Sequence, residues 1–121
     1  MKIVNATLRG EPAVGDVVHL HYLAPRGGRT TAGHIVISVE EQTGPDTFRR
    51  RPQTLEEIAD MIAKMAEQQF CGSKNGTPAF RTKAKGTTIR VECKDEVEDV
   101  TFVSEIKPAN GGDLAMDLVE L

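Results

Sequence analysis

One stretch of this chain, TLEEIADMIAKMAEQQF at residues 54–70, repeats its apolar residues at helical spacing. Leu55, Ile58, Met61, Ile62, Met65 and Ala66 recur every three or four positions and predict a single amphipathic helix with one apolar stripe. Thr54 and Glu57 have the Thr-x-x-Glu spacing of a capping box. Acidic residues crowd the first turn, where they oppose the helix dipole, and Gly72 is placed to end the helix. The apolar runs on either side of this segment alternate with a period of two. A chain with one helix and many short alternating runs is confined to an antiparallel, mainly β fold with the helix covering an apolar face.

Residues 2–8 (KIVNATL) predict a first strand, followed by a turn at Gly10, Pro12 and Gly15. In VVHLHYL (17–23), Val18, Leu20 and Tyr22 share one face, and Val17, His19, His21 and Leu23 the other. In GHIVISVE (33–40), Ile35, Ile37 and Val39 point inward. The glycine loop at 24–30 has hairpin length, so these two runs should pair. Residues 41–53, EQTGPDTFRRRPQ, read as a long arginine-containing loop. Beyond the helix, Phe80, Thr82 and Ala84 face one way and Arg81 and Lys83 the other, with a tight turn at Lys85-Gly86. Ile89, Val91 and Cys93 then alternate with Thr88, Arg90 and Glu92. KDEVED (94–99) is an acidic loop, VTFVSEI (100–106) a strand, and Asn110-Gly111-Gly112 a turn. Residues 113–121 form a last strand or a tail, and the alternation of Leu114, Met116 and Leu118 favours the strand. The expected fold is a single domain over 1–121, mainly β with one α-helix (α+β). It is an antiparallel sheet, small sandwich or barrel of about six to seven strands, with the helix at 54–70 packed on one face.

The composition narrows the function classes. Aromatic residues are 4% of the 121, with no tryptophan, which argues against a base-stacking surface. The net charge is −3, so there is no overall basic footprint for nucleic acid or anionic membrane. No run of about 18 apolar residues is present to span a membrane, and MKIVNATLRGEP does not read as a signal peptide. The expected setting is therefore a cytosol. Two cysteines are too few for a disulfide scaffold. Cys71 and Cys93 read as inert thiols in a reducing compartment, or as a candidate disulfide if the protein ends in an extracellular particle. His19, His21 and His34 could meet on one side of a hairpin as metal ligands. The spacing does not specify such a site, and exposed strand histidines at a protein contact are the expected reading, with no metal and no cofactor. Arg49-Arg50-Arg51 is the one concentrated positive patch. With Arg26 and Arg29 of the glycine loop it supplies candidate inter-subunit contacts, for which KDEVED on a neighbouring copy is an acidic match. There is no phosphate loop, no GxGxxG after a strand, no HExxH and no nucleophile elbow. No residue is assigned a catalytic role, and the chain is expected not to be an enzyme.

The run from Gly15-Asp16 through the helix start Thr54-Leu55-Glu56-Glu57-Ile58-Ala59 to Ala79–Gly86 resembles the small hairpin–helix–hairpin domains of tailed-bacteriophage tail proteins. The resemblance covers about three quarters of the chain. The arginine-rich linker and the two cysteines depart from the usual pattern. What the resemblance implies is a virion structural protein, assembled in the host cytoplasm. It further implies a tail tube subunit in stacked, hexameric rings around a DNA-conducting lumen. The implied partners are copies of the chain itself and a surrounding sheath or other tail proteins, with DNA only in transit and no membrane. A neck, baseplate or capsid-decorating component, or a small non-catalytic binding module, is the alternative.

Overall fold

A computed structural model of the chain describes residues 2–23, 29–69, 80–93, 101–109 and 111–121. Arg26 and most of the glycine loop, Cys71, Gly72, the acidic run 94–99 and Asn110 lie outside the described residues. The elements in chain order are β1 (Lys2–Arg9), β2 (Val17–Leu23), β3 (Arg29–Val36), β4 (Val39–Gln42) and β5 (Phe48–Arg51). They continue with α1 (Leu55–Gln69), β6 (Phe80–Lys85), β7 (Thr88–Cys93), β8 (Thr101–Lys107) and β9 (Ala115–Glu120). The fold is mainly β with a single helix, as the two periodicities require.

The strands form three antiparallel sheets, ordered β6-β7-β1-β9, β3-β2-β8 and β4-β5. Among the described residues these do not close into a barrel. The hairpins β2–β3 and β6–β7 follow from the sequence, but the sheets are joined by pairings between chain-distant strands. Val4 of β1 faces Val91 of β7 on one side and Glu120 of β9 on the other. Leu20 of β2 faces Ser104 of β8. At the seam between the larger sheets, the Ser104 hydroxyl donates to the Met116 carbonyl at 2.9 Å. The helix packs on β6 and β3, opposite that seam.

Period-two burial places Val4, Ala6, Leu8, Val18, Leu20, Ile35, Ile37, Ile89, Val91 and Cys93 in one core. The helix contributes Ile58, Ala59, Ile62, Ala63 and Ala66. The capping box forms as spaced: the Glu57 amide donates to Thr54 Oγ1 at 3.2 Å and the Thr54 amide to Glu57 Oε1 at 3.1 Å. The amide of Thr54, then Arg51, hold the Glu57 carboxyl below its ordinary range. The cap's contribution therefore holds above the unfolded carboxylate pKa and fades as pH falls through the folded value.

Three details differ from the sequence reading. Among the described residues there are nine strands rather than six or seven, because the arginine-containing segment is not wholly a loop: residues 39–42 and 48–51 pair as a hairpin. The β6–β7 turn is Gly86-Thr87, with Gly86 at φ 61° and Lys85 facing Thr88. Met61 is not on the buried stripe; it is 39% exposed, whereas Ile62 is fully buried. The small residues Ala59, Ala63 and Ala66 let the helix settle against the strands on a face rotated away from Met61. Met61→Asp is accordingly expected to change stability by less than about 1 kcal/mol, checked by thermal melting. A loss of cooperative folding would mean that Met61 is buried after all.

Candidate functional site

Among the described residues, the surface offers open strand edges, a charged arm and a cluster of cations. β6 and β9 border one sheet, and β3 and β8 the other. β8 and β9 pack together at the seam. Among the described residues, no further strand pairs with the outer side of β3 or β6. Unpaired N–H and C=O rows of this kind are templates for another chain.

The β4–β5 hairpin is a two-stranded sheet apart from the other two. Such a ribbon is marginal alone, and its sequence compensates locally. The Thr43 amide donates to the Thr47 carbonyl at 2.9 Å, and Gln42 Nε2 donates to the Gly44 carbonyl at 3.0 Å, which stitches the tip. A Cβ on Gly44 would come within 2.5 Å of Thr47 Oγ1. Phe48, beside the tip, is 57% exposed.

The arginine triplet is split by the strand's alternation. Arg49 and Arg51 reach Glu41 at 3.7 and 3.6 Å, and Arg51 also reaches Glu57 at 3.2 Å, which ties the arm to the helix start. Arg50 stands in register with Glu40. Arg49 and Arg51 thus have carboxylate partners within the chain, and their pairing needs no acid from a neighbour. Arg26 lies outside the described residues. Arg29 is the first residue of β3, and its side chain lies outside them too. KDEVED, the acidic match suggested for these arginines, also lies outside.

The histidines occupy the middle sheet. His19 stands in register with His34 on one side and Glu105 on the other. The rings of His19 and His21 stack with centroids 5.0 Å apart, and His21 Nε2 lies 3.6 Å from Glu105 Oε2. His21 is buried, which corrects the expectation of exposed histidines. A shift in the β2–β3 register after Leu20 accompanies this placement. Among the described residues, no three His, Cys, Asp or Glu side chains gather as a metal cage. No helix is long and apolar enough to cross a membrane among them.

Cys93 is a buried free thiol, and burial pushes its pKa up to about 11. Cys71, its candidate disulfide partner, lies outside the described residues. At pH 8 the Cys93 thiol is protonated and out of reach. Iodoacetamide should therefore miss Cys93 in the folded protein and modify it after denaturation, as read by mass spectrometry. Rapid native labelling would contradict its place in the core.

No protein-family model matches the chain, and no curated protein or solved structure matches it either.

Proposed function

We propose that the chain is a structural subunit that assembles with copies of itself, as a tail tube protein of a tailed bacteriophage. In this reading it works in the virion without catalysis, in stacked rings, and meets DNA only in transit. The observation that carries the reading is the pair of edge strands beside the helix, β3 and β6, whose outer sides no further strand pairs with among the described residues. A sheet edge left without a ladder partner is a template that a strand of another copy can complete. A head-to-tail contact made at such edges closes into a ring when its rotation closes. The arm with its exposed Phe48 supplies a second contact that leaves the core untouched. The resemblance in the sequence supplies the phage setting; the edges and the arm support assembly in general.

Electron microscopy of the purified, concentrated protein tests this. Rings or stacked cylinders are the expected image. A field of single small particles at every concentration and salt would overturn the tube reading.

A further inference from the structure

A groove on the outer face of the four-stranded sheet is rich in cations and, among the described residues, holds no carboxylate. Its lining is Asn5, Lys83, Lys85, Thr88 and Arg90, and it encloses about 500 Å³. Each of these side chains can donate a hydrogen bond, and none is a carboxylate, although the chain has 18 acidic residues and a net charge of −3. Lys83 and Arg90 stand directly opposite each other across the β6–β7 ladder. Like charges in that position repel. Asn5 continues the row on β1, beside Arg90. Among the described residues neither Lys83 nor Lys85 forms an ion pair, and Arg90 has one, to Glu92 at 3.1 Å.

Lysines on an edge strand restrict which strands can pair with it, and Lys83 and Lys85 fit that selective role on β6. Arg90 does not, because β7 is an inner strand of its sheet. That role would not place a third cation there, against Lys83. The cationic zone is also short. Past Lys83 the surface continues to Arg81, Glu67 and Glu92, so carboxylates bound it at one end. Lys83 and Lys85 are two residues apart along a strand, about 7 Å, and Arg90 lies across a strand spacing of about 5 Å.

We infer that this groove binds a small anion carrying two or three adjacent phosphate groups, of the diphosphate or triphosphate class. Lys83, Lys85 and Arg90 line the same groove there, Asn5 supplies a neutral donor beside them, and the Thr88 hydroxyl, shared with Thr7 at 3.0 Å, borders it. The flanking carboxylates disfavour a long polyanion, and among the described residues no aromatic side chain lines the groove to stack a base. The residues named for the groove all belong to one chain, so the inference does not require assembly.

Isothermal titration calorimetry of the full chain with inorganic tripolyphosphate at low salt tests it. Saturable binding that weakens as salt is added is expected. Lys83→Gln/Arg90→Gln should weaken binding about tenfold or more. The melting temperature of this variant should stay close to that of the wild type, because relief of the Lys83–Arg90 repulsion offsets loss of the exposed Arg90–Glu92 pair. Lys85→Gln, outside that pair, gives a second variant with the same direction. Absence of binding by the wild type, or equal binding by both variants, would overturn the inference. So would a single-stranded oligonucleotide binding far more tightly than tripolyphosphate, which would mark a polymer surface. Loss of self-association in the double variant with no anion binding in the wild type would instead assign the groove to an acidic face of a second copy, and overturn the inference too.

Discussion

Ile62→Asp is expected to leave the chain without a cooperative folded state at room temperature. Ile62 is fully buried in the middle of α1, among Ile58, Ala59, Ala63 and Ala66. Removing the isoleucine forfeits about 2–3 kcal/mol of apolar burial. The new carboxylate would enter that core without a partner, at a cost of several kcal/mol whether it stays charged or takes up a proton. The sum approaches the whole stability of an ordinary domain, roughly 5–15 kcal/mol. Far-ultraviolet circular dichroism and a thermal melt check this. A cooperative transition within a few degrees of the wild type would mean that the helix presents a different face. Met61→Asp, one residue away on the exposed side, is the matched control.

Asp16→Ala is expected to be the second most damaging change, at about 3 kcal/mol. Asp16 is fully buried beside the core. Its Oδ2 accepts the Ala13 amide at 2.9 Å and its Oδ1 accepts the Ala109 amide at 2.8 Å. It therefore ties the turn before β2 to the turn after β8, segments 93 residues apart in sequence. Alanine would leave these two part-buried amides without their carboxylate acceptor and would open the join between the two turns. Asparagine would recover part of the loss, since it offers one oxygen and turns an N–H toward the other donor. The readout is a melting temperature lower by roughly 10 °C for Asp16→Ala, with Asp16→Asn between it and the wild type. An unchanged melting temperature in Asp16→Ala would show that water or a backbone shift satisfies those amides.

What could be read in advance was what short-range geometry dictates. The capping box rests on two residues three apart, and both of its hydrogen bonds form. The β6–β7 alternation, Ile89, Val91 and Cys93 in against Arg90 and Glu92 out, is recorded in the burial pattern. The miss at Met61 has a different origin. A helical stripe fixes a face only to within a residue, and the alanines on the strand-facing side decided its centre. The arginine triplet was misread because three like charges in a row resemble a solvated loop. Their strand conformation depends on Glu40 and Glu41, about ten residues earlier. The pairing of β1 with β7 and β9 has no local signature, since distant strands are matched by the fit of their apolar faces. For the same reason the cationic groove was not legible: Asn5, Lys83 and Arg90 share a row only once those strands have met.

The central claim is that the β3 and β6 edges are finished by neighbouring copies. Hydrogen–deuterium exchange across a concentration series, with sedimentation on the same samples, tests it most directly. The outward-pointing amides of β3 and β6, which take no part in the ladders with β2 and β7, should exchange fast in dilute protein and become protected as larger species form, while core strand β1 is unchanged. A chain that sediments as a monomer throughout, with β3 and β6 exchange independent of concentration, would contradict it.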